Sequence, residues 1–319
     1  MIDKVIECIH SNSSFVIVYH QNPDGDAIGS ALALSQILKT LKKDVRICSR
    51  ERIPNKYSFL PDVKYVEETR YLPESDVLIL LECGCIERSG FERGDLNSRI
   101  IVNIDHHTIS GDFTSVNWVD SSASATAELI YYLAKALETP ITQKIAVCLY
   151  VGILTDTGKF QYSNTHKKLY NIIAELVDTG ISVSDVYHHV YGSQSPAYCR
   201  LLGYVLSNFK FRYKDKISYV VISDKVIREC DASKETLEGI IDYIRDIAGV
   251  EAAVLFRELK ENIIKVGLRS INLVSVDEFA ARYKGGGHKR AAGCTIKGSL
   301  DETVDSVLKD LEDYCKKYI

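Results

Sequence analysis

The sequence contains no apolar run long enough to cross a bilayer, so no membrane span is expected. Its first segment, MIDKVIECIHSN, carries acidic residues and lacks a long apolar core, so no signal peptide is expected either. An excess of basic charge is also missing. A formal net charge of -4 gives no global pull toward nucleic acid, so a polyanion must be held by a local cleft and by metal ions, and duplex DNA is excluded as an expected partner. No CxxC pair is present, and the nine cysteines are scattered and odd in number, which reads as the thiols of a reducing cytoplasm. Cys83-x-Cys85 has no second thiol pair at zinc spacing and is not taken as a zinc site. Internal repeats and low-complexity stretches are lacking too. With 319 residues and 46% hydrophobic content, the chain can bury a sizeable core, and two domains are expected.

What is present is an alternation. Short apolar runs at 15–19, 45–48, 77–81 and 100–104 read as strands. Helical patterns fall at 27–41, where Leu34, Ile37, Leu38 and Leu41 share a face, and at 124–137 and 143–154. Strands alternating with helices predict a parallel sheet covered on both faces. In such open sheets ligands gather beyond the carboxyl ends of the strands. His20 follows the first run, Glu82 the third and Asp105-His106-His107 the fourth, while Asp156 follows the helical pattern at 143–154. Separate loops thus deliver ligand chemistry to one sheet edge.

Periodicity fades and turn residues gather near 190–196, so the expected division is a first domain at 1–190, a linker at 191–196 and a second domain at 197–319. In the second domain, runs at 209–211 and 217–222 flank Lys214-Asp215, and runs at 252–256 and 263–268 flank Lys260-Glu261-Asn262. Two antiparallel hairpins are expected, with helices at 234–248 and 300–317.

The densest chemistry lies in His20-Gln21-Asn22-Pro23-Asp24-Gly25-Asp26. Two carboxylates crowded into one turn repel, and each raises the other's pKa unless a cation lies between them. A divalent metal supplies that cation. Pro23 stiffens the turn, and Gly25 permits a conformation that a side chain would forbid. The alternative is an ordinary strand-to-helix loop in which an Asp caps the next helix.

Asp105-His106-His107 is the triplet that names the DHH phosphoesterases, and the chain resembles the branch that carries a DHH-associated C-terminal domain. The first motif of that family is matched by His20-x3-Asp24-x-Asp26 and the fourth by Gly152-Ile153-Leu154-Thr155-Asp156-Thr157-Gly158. The C-terminal signature is matched by Gly285-Gly286-Gly287-His288-Lys289-Arg290-Ala291-Ala292-Gly293, preceded by Gly267-Leu268-Arg269-Ser270. The resemblance implies an α/β fold, with a parallel-sheet catalytic domain flanked by helices, a smaller α/β substrate-binding domain and an active site in the cleft between them. It implies two divalent ions, Mn2+ being the usual occupant. His20, Asp24 and the second-motif carboxylate would hold one ion. Asp26, the same carboxylate, His106 and Asp156 would hold the other. Imidazole with carboxylate suits such ions better than soft, thiolate-loving metals.

The second motif departs from the family, since Glu82 stands in Leu80-Leu81-Glu82-Cys83-Gly84-Cys85-Ile86-Glu87-Arg88 where Asp is usual, with Arg88 supporting the register. A Glu has one more methylene and can still bridge two ions; the alternative is that it no longer binds and the site holds one metal or none. Cys85 also replaces a common acidic residue, and nothing in its chemistry explains the change. By the same resemblance, His107 lies near the substrate phosphate, and Asp105 orients His106 or a neighbour of the metal site. Arg269, Ser270, Gly285, Gly286, Gly287 and His288 would bind substrate through backbone N–H groups and charged donors. Relatives often carry a fourth glycine where Lys284 stands. His166, His188 and His189 fall outside the motifs and read as surface or packing residues.

The implied activity is that of a nanoRNase, a cytoplasmic phosphodiesterase cutting very short RNAs or linear dinucleotides to mononucleotides by in-line attack of water. Action on 3'-phosphoadenosine 5'-phosphate stays open. Two rival readings are a cyclic-dinucleotide phosphodiesterase and a non-catalytic nucleotide-binding protein whose site is weakened by Glu82. Dimers are common in the family, so a homodimer is a further expectation to test.

Overall fold

The computed structural model describes every residue except 93, 95–99, 108–113, 193, 234–236, 238 and 319, and only the backbone of His288. The chain divides into two compact units, Met1–Ser193 and Gln194–Ile319.

The first unit is built on six parallel strands: β1 (Ser14–Tyr19), β2 (Asp44–Ser49), β3 (Val66–Glu68), β4 (Val77–Leu81), β5 (Ile100–Asp105) and β6 (Val116–Val119). Their order in the sheet is β3-β2-β1-β4-β5-β6. The order reverses direction between β1 and β4, and a crevice opens at such a switch point beyond the strand ends. All five residues of β4 are buried, as expected of a central parallel strand covered on both faces. Phe15, Ile17 and Tyr19 of β1 join a large core on one face, while Val16 and Val18 join Leu78, Leu80, Ile86 and Phe91 on the other. The large core is closed by α2 (Gly25–Thr40), α3 (Thr126–Ala136) and α4 (Gln143–Asp156). Three further helices, α1 (Ile2–Ser11), α5 (Lys167–Asp178) and α6 (Val183–Tyr187), complete the unit.

Glycines let α2 lie directly on α4. A Cβ added at Gly29 would sit 2.3 Å from the Cys148 carbonyl oxygen, and one at Gly152 would sit 2.7 Å from Asp26 Oδ1. This contact brings the start of α2 to the end of α4, and with it Asp26 to the neighbourhood of Asp156. Gly29→Ala therefore costs about 3 kcal/mol of overpacking, which outweighs the roughly 1 kcal/mol that Ala gains over Gly in a helix. The expected result is a melting temperature lower by roughly 4 to 8 °C; an unchanged melting curve would show that the helices separate freely.

The second unit also has six strands, β7 (Lys210–Arg212), β8 (Ile217–Ile222), β9 (Ala252–Lys260), β10 (Ile263–Ser270), β11 (Gly286–His288) and β12 (Ala291–Lys297). Their order is β11-β12-β10-β9-β8-β7, antiparallel except for the β8–β9 pair. The two expected hairpins are β7–β8 and β9–β10. One face packs against α10 (Val276–Ala281) and α11 (Leu300–Cys315) through Phe256, Leu268, Phe279 and Leu311. The other face packs Val220, Ile222 and Leu255 against α7 (Pro196–Asn208), α8 (Asp224–Glu229) and α9 (Ile240–Arg245). Ser195 starts α7 by accepting the Tyr198 N–H at 3.0 Å.

The expected helix at 234–248 needs correction. Its described part is α9 alone, because Gly239 stands at φ 73, a left-handed conformation that interrupts a right-handed helix; residues 234–236 and 238 lie outside the described set. Among the described residues no helix is long and apolar enough to cross a membrane. All nine cysteines are free thiols.

Candidate metal centre

The site grows from the ends of β1, β4 and β5. After β1 the chain turns through Asn22, which takes a left-handed φ of 55 and donates its N–H to Glu51 Oε2 at 2.7 Å. His20 Nδ1 lies 2.8 Å from the Gln21 carbonyl oxygen, an acceptor that keeps the proton on Nδ1 and leaves Nε2 as the coordinating nitrogen. Asp24 serves both readings of the sequence at once. Its Oδ1 accepts the Asp26 and Ala27 N–H groups at 3.0 Å and caps α2, while its Oδ2 lies 3.8 Å from His20 Nε2.

Asp26 is fully buried, and its carboxylate reaches across to α3. Oδ2 accepts the Thr126 N–H at 2.6 Å, and Oδ1 accepts the Ala127 N–H at 2.8 Å and the Ser30 hydroxyl at 3.0 Å. The residue before α3 is Ala125, which has no capping side chain, so Asp26 caps that helix from another element. A carboxylate offers about four acceptor positions, which leaves one on Oδ2 for a metal.

Glu82 follows β4 directly and is held at φ 57, a conformation uncommon for a non-glycine residue and a reservoir of strain at functional positions. It is 1% exposed. Its Oε2 lies 3.4 Å from His20 Nε2 and its Oε1 lies 3.6 Å from His106 Nε2, which in turn is 3.4 Å from Asp156 Oδ2. Burial, and then the charges of Asp26 and Asp24, push the carboxyl of Glu82 well above its ordinary pKa. Burial raises Asp156 in the same way, again with Asp26 and Asp24 behind it.

These side chains form three overlapping groups whose ligand atoms lie within 4.8 Å of one another: His20, Asp24 and Glu82; Asp26, His106 and Asp156; and Glu82, His106 and His107. Glu82 Oε2 and His106 Nε2 are buried without a hydrogen-bond partner. Among the described residues no lysine or arginine pairs with Asp24, Asp26, Glu82 or Asp156. Orphaned buried donor and acceptor atoms, converging carboxylates and no cationic side chain fit divalent cations bound by oxygen and nitrogen.

Asp105 ends β5 and is buried, and it is His107 that it holds, not His106. Its Oδ1 is 2.7 Å from His107 Nδ1 and accepts the His107 N–H at 2.9 Å. Burial opposes the Asp105 charge, but the hydrogen bonds and charge of His107 outweigh it and leave the carboxyl below its ordinary pKa. The His107 ring meets that of His106 edge-on, with centroids 4.6 Å apart.

In the second unit, the Arg269 guanidinium is partly exposed, with Nη1 donating to the Leu268 carbonyl at 3.1 Å and Nε 3.5 Å from Asp242 Oδ1. Ser270, expected to bind substrate, is buried, and its hydroxyl donates to the Val274 carbonyl at 2.6 Å and so fastens a loop. The glycine triplet divides similarly. A Cβ at Gly285 would meet the Gly293 carbonyl oxygen at 2.3 Å, and one at Gly287, where φ is 147, would meet the Ala291 carbonyl oxygen at 2.4 Å. Those two glycines answer to close packing against β12. A Cβ at Gly286 would meet nothing within 4 Å, so that position alone has no packing reason to be glycine. Lys284 takes a left-handed φ of 58, a conformation that glycine adopts at little cost. The side chain of His288 lies outside the described residues.

Comparison with known proteins agrees with this geometry. Residues 14–153 match the DHH family, N-terminal domain, and residues 215–317 match the DHHA1 domain. The chain is 32% identical to the bifunctional oligoribonuclease and PAP phosphatase NrnA of Thermus thermophilus, over 93% of this chain and 89% of that protein. This chain belongs to the DHH family. A protein of the same description from Bacillus subtilis is 29% identical over 99% of both chains. The crystal structure of an exopolyphosphatase-related protein from Bacteroides fragilis superposes with a TM-score of 0.92 at 31% identity, covering 99% of this DHH chain and 96% of that one.

Two supports of this DHH site carry no signal in the residue pattern. Asn164 donates through Nδ2 to the Ser124 carbonyl at 2.9 Å and the Asp156 carbonyl at 3.2 Å, and its own carbonyl accepts the Ser124 hydroxyl at 2.6 Å. It fixes the last turn of α4 to the segment before α3. His166, read as a surface or packing residue, caps α5 by accepting the Leu169 N–H at 3.2 Å and lies 3.5 Å from the buried Glu128 carboxylate. An asparagine in a loop after a motif and a histidine outside one are too common to single out without coordinates.

Proposed function

We propose that this chain is a metal-dependent phosphodiesterase that hydrolyses very short oligoribonucleotides or linear dinucleotides to nucleoside monophosphates. The observation that carries the reading is the position of Glu82, whose ligand atoms fall within reach of both His20 with Asp24 and His106. In this reading His20, Asp24 and Glu82 hold one divalent ion, and Asp26, Glu82, His106 and Asp156 hold a second. The hard oxygen and imidazole donor set favours Mn2+ or a similar ion. Two such ions, when bound, stabilise negative charge on the attacking and leaving oxygens of a phosphoryl group. The relatives named as oligoribonucleases, similar over most of the chain, support the substrate class.

The chain's own residues do the rest. Asp105 accepts the Nδ1 proton of His107 and so fixes the tautomer and the orientation of that ring beside the substrate phosphate. Asp26 keeps the start of α3 and the metal-binding turn in one rigid arrangement. Residues 1–190 act as the catalytic domain and 197–319 as the substrate-binding domain, where Arg269 offers charge to phosphate. The free thiols agree with a reducing, cytoplasmic setting.

The test is direct. Purified protein incubated with Mn2+ and a diribonucleotide should release mononucleotides, with 3'-phosphoadenosine 5'-phosphate and a cyclic dinucleotide assayed beside it. Intact diribonucleotide under every divalent metal tried would overturn the proposal.

A further inference from the structure

The segment between β10 and α10, residues 271–275, carries no regular structure of its own, yet the N–H groups of 271–274 and the carbonyls of Asn272 and Val274 are all bonded. Glu251 is 8% exposed, and its Oε1 accepts the N–H groups of Asn272 at 2.9 Å, Leu273, and Val274 at 3.1 Å. The Glu251 carbonyl accepts the Ile271 N–H at 3.0 Å. The opposite side belongs to Arg290. Its Nη1 donates to the Val274 carbonyl at 2.8 Å and its Nη2 to the Asn272 carbonyl, while its own carbonyl accepts the Ser270 N–H at 3.1 Å. One residue earlier, the Lys289 carbonyl accepts the Val276 N–H at 3.0 Å.

Glu251 thus gathers the donors of this loop and Arg290 gathers its acceptors. Arg290 also stands in the turn that follows Gly286–His288, so its side chain ties that glycine strand to the loop after β10, and its backbone carbonyl ties it to Ser270 at the end of the strand bearing Arg269. We infer that Glu251 and Arg290 are positioning residues that fuse these two segments into one preformed nucleotide-holding edge; this rests on the phosphodiesterase reading. With the amides of 271–274 consumed internally, the Arg269 guanidinium is the charged donor that the described residues offer an incoming phosphate at the end of β10. Holding that group still lowers the ordering cost of binding. Neither Glu251 nor Arg290 touches the phosphate or the reacting atoms.

Three variants test the assignment: Arg290→Lys, which keeps the charge but loses the two-pronged fork; Glu251→Ala, which removes the acceptor; and Glu251→Gln, which keeps one carbonyl oxygen. The expected result with a diribonucleotide and Mn2+ is a KM raised about tenfold in Arg290→Lys and Glu251→Ala, a smaller rise in Glu251→Gln, and kcat within about twofold throughout. Metal content per chain should equal that of the wild type. A KM unchanged in all three variants, or a loss confined to kcat or to metal content, overturns the inference while leaving the phosphodiesterase reading intact. A wild-type protein that leaves the diribonucleotide intact under every divalent metal tried overturns that reading, and this edge with it.

Discussion

Glu82→Gln is expected to lower diribonucleotide turnover by about three orders of magnitude, on the order of 4 kcal/mol of barrier, and to reduce bound metal below two ions per chain. The substitution keeps shape and removes charge. Glu82 is shared by the group it forms with His20 and Asp24 and the group it forms with His106 and His107, so its loss weakens both. Glu82→Asp asks a different question. At φ 57 the backbone stands where Asp is tolerated better than Glu, so the family's usual residue suits this bend, and the chain here combines the bend with a longer arm. Shortening that arm by one methylene withdraws the carboxylate by about 1.5 Å from a cluster whose spacing is built around Glu. Glu82→Asp should therefore bind metal more weakly and keep only part of the activity. Elemental analysis beside turnover decides it: an Asp variant more active than the wild type would mean that Glu82 marks a degenerate site.

The ligands at the strand ends were legible because a buried parallel strand reads as a short apolar run, and the residue after it must leave the sheet. His20, Glu82 and the Asp105–His107 triplet were found in that way. Less was legible at the sheet edges, where β3 and β6 are only 3 and 4 residues long and mostly half-exposed, leaving no apolar run to notice. The helical pattern of 234–248 runs through Gly239 because composition does not report the sign of φ. Ser270 and the outer two glycines of the triplet also have a structural task that the motif does not report, the hydroxyl bonding Val274 and the glycines leaving room for Gly293 and Ala291 within the same unit. Conversely Asp26 read as a ligand only, and its second task, capping α3, depends on a contact 100 residues away in sequence. Residue type and spacing reveal which groups have metal chemistry; they do not reveal which hydrogen bonds already occupy them.

Stability provides the second large effect, and its sign follows from the raised carboxyls. Glu82 and Asp156 have ordinary values of 4.5 and 3.8, and in the folded chain burial and neighbouring carboxylates raise both. An acid whose folded pKa exceeds its unfolded pKa binds more protons when folded, so stability falls as pH rises from the unfolded value toward the folded one. Asp105, shifted downward, acts oppositely, but its contribution is lost only as pH falls below the ordinary carboxyl range. Metal-free protein should therefore melt progressively lower as pH rises above these ordinary carboxyl values. Divalent ions reverse the slope, since they bind the deprotonated ligands and compete with protons for them. With free metal at about 100 times Kd, each site adds roughly 2.7 kcal/mol, and two sites in a unit of this size raise the melting temperature by roughly 10 to 20 °C. Melting curves with Mn2+ and with chelator at pH 5.5 and pH 8 measure this directly. The increment should be small at the lower pH and large at the higher, and it should shrink at both in Glu82→Gln, which carries no charge to relieve. An increment equal at the two pH values would show that the ions bind elsewhere than among these carboxylates.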